Sequence, residues 1–221
     1  TSLSYALSNI TANHALVAKF AAKMVTMNVK VSPTGGGTVT NGSASFQEGT
    51  SNTLTAVPAA GYKFVKWTYA PFSSPTGDET ETSIVNPDDF TWYQGRNITA
   101  HFEKLSYTVS YTKNANIASI TKTSETVTYG GTATCTAALP ANTAQYTYSF
   151  AGWYEGSTQI STALALSVSN ITAARTFEAR GTATINRYTI TVTNGSGSGT
   201  YNYGTEVTLT ANTITGKTFS K

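Results

Sequence analysis

The feature that most constrains this chain is an aromatic stretch that occurs three times. The sequence GYKFVKW at 61–67 returns as YSFAGW at 148–153, and KTFSK at 217–221 begins a third copy. Aromatic residues two positions apart lie on one face of a β-strand, whereas the tryptophan follows at an odd step. A bend or bulge is therefore predicted just before Trp67 and Trp153. A bulky anchor repeated along a chain indicates an array of small β-rich modules.

The segments between these stretches also recur in a fixed order. Three of them alternate apolar and polar residues with a period of two, which is typical of half-buried strands: 27–31, 107–111 and 188–192. Their central residues Val29, Val109 and Ile190 are 80 and 81 positions apart. Each is followed by a turn rich in glycine or asparagine, as tight hairpins require. A second strand comes next, and after a small turn a third strand: 53–56, 134–137 and 208–211.

A closing strand ends each unit: 15–20, 97–102 and 176–180. Aligning these strands on Leu16, Ile98 and Phe177 keeps their apolar faces in phase. The chain therefore divides into a closing part of one repeat (1–22), two full repeats (26–104 and 105–181) and an opening part of another (187–221). Helical periodicity is nearly absent. The predicted fold class is all-β or β-rich α+β, with modules of about 80 residues in an elongated array.

The repeat alignment also predicts which residues form the structural core. Cys135 occupies the position that Leu54 and Leu209 hold in the other copies, so we interpret it as a small buried apolar residue rather than a reactive thiol. The predicted core comprises the aromatic anchors and this position: Leu54, Tyr62, Phe64, Trp67, Cys135, Tyr148, Phe150, Trp153 and Leu209.

Composition excludes several classes of partner. Charged residues make up 11% of the chain, against roughly 25% in a typical soluble domain. The net charge is only +3, and the positive residues are scattered singly, so nucleic-acid binding is not expected. No apolar run approaches the ~20 residues that span a bilayer, so we expect no membrane-spanning segment in this fragment. Because the chain opens at Thr1 without a leader, we expect a processed product or an excised piece.

The sequence contains few residues in catalytic patterns. It has no nucleophile elbow, no His-Glu-x-x-His motif, no cysteine pair, and no second histidine or cysteine beside His14 or His101. No enzymatic activity and no cofactor are expected.

One insertion interrupts the repeat and is the best candidate for a binding site. The first full repeat carries about seven extra residues within 68–91, and long loops on a rigid scaffold often carry binding sites. Three interpretations remain open. The loop is a solvated insertion, or it contacts a partner through Tyr69, Trp92 and Tyr93, or its carboxylates bind calcium, which needs six to eight oxygens. The calcium candidates are Asp78, Glu79, Glu81, Asp88 and Asp89.

Several short motifs, in the same order twice over, resemble those of a known family. The sequences GGGTV (35–39), TLTA (53–56), GYKFVKW (61–67) and NITAHF (97–102) resemble the divergent bacterial B-repeat, and FAGWY (150–154) resembles the internalin-type B-repeat. Lys66 departs from the glycine usual before the tryptophan.

The resemblance implies a small β-grasp-like module, strung in tandem in secreted or surface-anchored bacterial proteins. It also implies a role as a stalk, spacer or adhesion module, an unknown protein or glycan ligand, and no catalytic residues. Two alternatives are a structural component of a phage fibre, decoration protein or filament, and a carbohydrate-binding module with exposed tyrosine and tryptophan.

The two part repeats at the ends together lack only nine positions of one full repeat, the counterparts of 153–161. One interpretation is a window cut from a longer array. The other is head-to-tail self-association, in which 1–22 of one chain completes the sheet begun by 187–221 of the next, because unpaired strand edges recruit strands.

Overall fold

The computed structural model describes residues 4–47, 50, 53–70, 83–85 and 97–220. The regular secondary structure of these residues is entirely strand, so the all-β alternative of the predicted fold class is confirmed. The chain forms two compact units, Thr1–Glu103 and Lys104–Lys221. Each unit has its own hydrophobic core.

The first unit contains seven strands. They are β1 (Met24–Ser32), β2 (Gly37–Thr40), β3 (Ala44–Gln47), β4 (Thr53–Pro58), β5 (Tyr62–Ala70), β6 (Ser83–Val85) and β7 (Asn97–Lys104). One sheet has the order β3-β1-β7-β5, and a smaller sheet has the order β2-β4-β6. At the centre of the larger sheet, β1 and β7 are parallel, with Val29 opposite Ile98.

The second unit begins with the same arrangement. Its strands are β8 (Ser106–Lys113), β9 (Ser119–Ile120), β10 (Ser124–Thr128), β11 (Gly131–Ala138), β12 (Tyr146–Glu155), β13 (Thr158–Ser161), β14 (Ala165–Ile171) and β15 (Arg175–Ile185). They form sheets of order β10-β8-β15-β12-β13 and β14-β11-β9. The first and last strands, β8 and β15, are again parallel neighbours. Parallel strands need a long crossover, and in both repeats that crossover contains the smaller sheet.

The chain then enters a third segment with four short strands. They are β16 (Arg187–Ile190), β17 (Gly195–Ser196), β18 (Gly199–Asn202) and β19 (Thr210–Ala211). They pair only as β16 with β18 and β17 with β19, both antiparallel. The third segment therefore has antiparallel strand pairs like those at the start of a repeat. Among residues 187–220, β16 has no parallel neighbour of the kind that β1 and β8 have in the first two repeats.

The bulge predicted before the second aromatic anchor is confirmed. The register between β12 and β15 shifts between Phe150 and Gly152, and Gly152 has a φ of 135°. The extra residue turns Trp153 to the face that Phe150 occupies, so that both side chains contact the same core. Trp153 is fully buried, and its Nε1–H donates to the Leu164 carbonyl at 3.0 Å.

Strand register corrects the alignment of the first strands. Val29 lies opposite Ile98, whereas Tyr111 lies opposite Phe177. Since Ile98 and Phe177 are equivalent, Val29 corresponds to Tyr111 rather than to Val109. The alignment at 80 positions is wrong by two residues. The sequence pattern does not reveal this error, because a shift of two residues keeps every side chain on the same face of its strand.

Seven of the nine predicted core residues lie in or against the two cores, and Tyr148 and Leu209 are not among the residues that do so. Leu54, Trp67, Cys135 and Trp153 are buried, while Tyr62, Phe64 and Phe150 are partly buried and pack against them. Tyr148 is also partly buried, with its ring 6.2 Å from that of Tyr146.

Leu209 is not a core residue, and its assignment is corrected. Its side chain is 52% exposed. The equivalent Cys135 lies opposite Leu166 of β14, which helps to enclose it. The third segment has no such strand among residues 187–220, so nothing covers Leu209 on that side.

Candidate interaction surfaces

Most of the predicted acidic loop (68–91), namely 71–82 and 86–91, lies outside the residues that the structure describes. This applies to the calcium candidates Asp78, Glu79, Glu81, Asp88 and Asp89, and to the partner-binding candidates Trp92 and Tyr93. Tyr69 is described only as part of the backbone of β5. The structure fixes the supports of the loop, because β5 ends at Ala70, β7 begins at Asn97, and β6 between them pairs with β4.

The described part of the chain holds no group of three or more histidine, cysteine, aspartate or glutamate residues placed to bind a metal ion. His101 is partly buried, and its Nε2 lies 2.8 Å from Thr68 Oγ1. His14 is exposed. Cys135 is buried, with Sγ 3.5 Å from Thr121 Oγ1 and 3.6 Å from the Lys122 carbonyl oxygen.

A polar cluster around Glu125 joins three strands of the second repeat. Glu125 Oε1 accepts hydrogen bonds from the Tyr111 hydroxyl at 2.5 Å and from the Thr134 backbone N–H at 2.8 Å. Its Oε2 accepts from Lys122 Nζ at 2.7 Å. These partners come from β8, β11 and the turn before β10. Both carboxylate oxygens are therefore engaged within the repeat, and the cluster ties its two sheets together.

This environment shifts two pKa values. Burial alone raises the pKa of Glu125, but the hydrogen bonds from Lys122, Tyr111 and Thr134 outweigh it and hold the pKa below its usual range. Burial, and then the hydrogen bond to Glu125, raise the pKa of the Tyr111 hydroxyl. No local motif indicates this cluster, because Tyr111 and Thr134 lie on other strands and meet Glu125 only when those strands are brought together.

The third segment contains an open apolar cleft of about 450 Å³. Its apolar lining includes Val192, Leu209, Ile214 and Phe219. Leu209 is the counterpart of the buried Leu54 and Cys135, so the cleft exposes a position that the first two repeats bury.

A network of hydrogen bonds fixes the junction between the second repeat and the third segment. The Asn186 side chain accepts from Thr147 Oγ1 at 2.7 Å and donates to the carbonyls of Thr143 and Ala144 at 2.9 and 3.1 Å. Its backbone N–H donates to the Gln145 carbonyl at 2.8 Å. The Tyr188 hydroxyl donates to the Ala144 carbonyl at 2.6 Å. The backbone and side chain of Asn186 and the hydroxyl of Tyr188 are thus all bonded to residues 143–147 of the second repeat.

The recurring pair of sheets defines the class: a tandem all-β repeat protein. The chain belongs to the divergent InlB B-repeat domain family, whose sequence profile matches residues 27–106 and 188–221, more than half of its length. Membership suggests a repeat module of a surface or secreted protein, and such modules are generally non-catalytic.

No curated protein and no solved structure matches the chain. Among the residues that the structure describes, no helix has the length and apolar character needed to cross a membrane.

Proposed function

We propose that this chain is a non-catalytic spacer of a bacterial cell-surface or secreted protein, which acts as a stalk and carries adhesion or interaction sites for a protein or glycan ligand. The family and the tandem order of two full repeats and a third opening segment support this proposal. In a tandem array each repeat contacts only its neighbours, so repeats add length without needing a common core.

The observation that carries the proposal is the bonded junction at Asn186. A spacer keeps its two ends at a fixed separation only where consecutive modules are joined stiffly. A flexible connection between modules would let that separation vary. At this junction, β15 leads into β16 through a residue whose backbone and side chain are both bonded to 143–147. The bonds restrict rotation of the third segment against the second repeat.

We expect that removing these bonds loosens the junction without unfolding the repeat. The test uses spin labels on cysteines introduced at the exposed residues Ser157 and Glu206, with Cys135 replaced by alanine. The double variant Asn186→Ala with Tyr188→Phe is expected to broaden the distribution of distances between the labels, measured by electron–electron double resonance.

Asn142→Ala is the matched control, because the Asn142 side chain accepts from the Tyr148 N–H at 2.9 Å, a bond inside the second repeat. Its distance distribution is expected to keep its width. Equal distributions in the junction variant and the unchanged protein would contradict a stiff spacer at this point.

A further inference from the structure

Two strands of the second repeat, β12 and β14, each have an outer side that is open over most of its length. The outer side of β12 pairs with the short β13 at one end only, and β14 ends the sheet β14-β11-β9. An open strand edge presents a row of N–H and C=O groups that can pair with another chain, and proteins usually cover or guard it. The two edges differ in whether these groups already have partners.

The open part of β12 is guarded by local hydrogen bonds. The Tyr148 N–H donates to Asn142 Oδ1 at 2.9 Å, and the Tyr146 carbonyl accepts from a backbone N–H three residues earlier at 2.9 Å. The Ala151 carbonyl accepts from Gln159 Nε2 at 2.5 Å. Because these groups are engaged within the repeat, β12 is poorly suited to pair with a further strand.

The direction of the backbone groups of β14 follows from the bonds of its neighbour β11. The N–H groups of Thr134 and Thr136 donate to side chains on the side away from β14, at 2.8 and 3.0 Å. The alternate residues of β11 therefore face β14, and two of them lie opposite Leu166 and Val168. Backbone direction alternates along a strand, so three residues of β14 point their N–H and C=O groups outward: Ala165, Ser167 and Ser169.

This outward row of β14 is unguarded. Its N–H and C=O groups have no hydrogen-bond partner among the residues that the structure describes. Residues 156–174 contain no charged residue and no proline, which are the residues that usually keep an edge strand from pairing. The side chains of Ala165, Ser167 and Ser169 are small and exposed, so a further strand can approach closely.

We propose that β14 pairs with β14 of a second copy of this chain, antiparallel and about a two-fold axis at Ser167. Asn170 has a φ of 58° and leaves the extended conformation, so the straight part of the edge is 165–169 and Ser167 is its centre. Ser167 then lies opposite Ser167 of the second copy, and Ala165 lies opposite Ser169. These are hydrogen-bonded pairs, because the outward groups of both strands meet there.

The edge is complementary to itself in charge and in shape. No like charges meet across the axis, because the strand carries none. On the inner face, Leu166 lies beside Val168 of the second copy. Val168 is only partly buried in one chain and packs against the second core. The pairing therefore covers more of Val168 and joins two three-stranded sheets into one of six strands.

Both chains contribute the same surface, so the contact is isologous and closes at the dimer. Five paired residues make a small interface, well below the ~1,200 Å² at which stable complexes begin. We therefore expect a weak, reversible dimer that forms at high protein concentration. The proposal does not rest on the spacer function, because it concerns only the pairing of β14.

A single cysteine on the axis tests the register. In a Cys135→Ala background, Ser167→Cys places two thiols opposite each other, with Cα atoms about 5.5 Å apart, within the range for a disulfide. Oxidation is expected to give a covalent dimer. Ser169→Cys is the matched control, because it is equally exposed on the same strand but its two copies lie four residues apart along the pair. Equal crosslinking of both variants, or none in Ser167→Cys, would overturn the proposal.

Charges at the same position provide the second test, by sedimentation velocity over a concentration series. Ser167→Lys and Ser167→Glu are each expected to stay monomeric where the unchanged protein dimerises, because like charges meet at the axis. An equimolar mixture of the two variants is expected to restore the dimer, because opposite charges then meet. Thr128→Lys, at an exposed position of β10, is the control and is expected to dimerise as the unchanged protein does.

Three results of this second test would contradict the pairing. A monomer at every concentration in the unchanged protein would overturn self-pairing, and would leave an extended segment of another protein as the strand that this edge accepts. Dimerisation of Ser167→Lys equal to that of the unchanged protein would place the dimer contact elsewhere. A mixture that stays monomeric would contradict a two-fold axis at Ser167.

Discussion

At the scale of single residues, the second repeat depends on a carboxylate that its sequence context does not single out. Glu125 joins Tyr111, Lys122 and Thr134 through three hydrogen bonds, and its side chain is only 21% exposed. Hydrogen bonds to a charged group contribute more to stability than those between neutral groups. Two of the ionisable groups that meet here, Glu125 and Tyr111, have shifted pKa values and give the repeat a specific dependence on pH.

We expect the second unit to lose stability in acid through Glu125. Because the pKa of Glu125 in the folded protein lies below its ordinary value of 4.5, folding favours the ionised form. This contribution is fully present above pH 4.5 and is lost as the pH falls through the folded pKa. Glu125→Gln is expected to lower the free energy of unfolding by about 1–3 kcal/mol at neutral pH. It is also expected to flatten the acid limb, which is the fall of this free energy from pH 7 to 3, measured by urea unfolding.

The exposed Glu206 provides a control, since Glu206→Gln is expected to keep both the neutral stability and the acid limb. The sign is reversed for Tyr111, whose pKa is raised above 10.0. Its contribution is present below pH 10 and is lost as the pH rises beyond that value. An acid limb of unchanged slope in Glu125→Gln would assign the acid sensitivity to other carboxylates.

At the scale of elements, the bulge in β12 decides whether one aromatic ring of the stretch contacts the core or two do. Without the extra residue, alternation would put Phe150 and Trp153 on opposite faces. The conformation that Gly152 adopts, with a φ of 135°, is rare for other residues. A Cβ there would also lie 2.5 Å from Gln159 Nε2 and 2.7 Å from the Ser161 carbonyl oxygen. The glycine thus allows β13 to pair closely beside Trp153.

Gly152→Ala is accordingly expected to destabilise the second unit by about 2–4 kcal/mol, from backbone strain together with overpacking. Urea unfolding at pH 7 measures the loss. Gly130→Ala is the matched control, because Gly130 also has a positive φ, of 75°, but nothing lies within 4 Å of a Cβ placed there. It is expected to cost only about 1–2 kcal/mol. Equal losses in the two variants would show that crowding beside β13 is unimportant.

At the scale of the whole molecule, the described residues form a separate core in each unit, with Trp67 buried in the first and Trp153 in the second. Trp67 packs with Leu54, Ile98 and Phe102, and Trp153 packs with Tyr111 and Phe177. Each tryptophan ring also packs against aromatic neighbours. The ring centroids of Phe64 and Trp67 are 5.4 Å apart, and those of Tyr111 and Trp153 are 6.1 Å apart. Of the described residues, those of the first core all belong to the first unit and those of the second core to the second unit.

We expect tryptophan replacements to act on one unit at a time. Trp67→Ala and Trp153→Ala should each cost about 3–5 kcal/mol in the unit that carries them, a large part of the stability of a domain of this size. Hydrogen exchange followed by mass spectrometry measures this locally. Trp153→Ala should lose protection over 107–179 and retain it over 27–67, and Trp67→Ala should do the reverse. Loss over both regions in either variant would contradict separate cores.

The sequence by itself determined the class of the fold. Alternation with a period of two fixes strands and their buried faces, and recurrence of the aromatic anchors fixes the repeat, because both depend on local chain geometry. The odd step before Trp153 was enough to predict the bulge, and the position of Cys135 among its counterparts was enough to assign it to the core.

The tertiary structure decided what depends on pairing between distant strands. Strand register makes Val29 the counterpart of Tyr111, whereas the sequence alignment makes it the counterpart of Val109. Alternation alone cannot distinguish two alignments that differ by two residues, because every side chain stays on the same face. The cluster at Glu125 likewise depends on strands that come together in the fold, and the exposure of Leu209 depends on which strands pair beside it. A residue's face is set by its own strand, but whether anything covers that face depends on which other strands pair beside it.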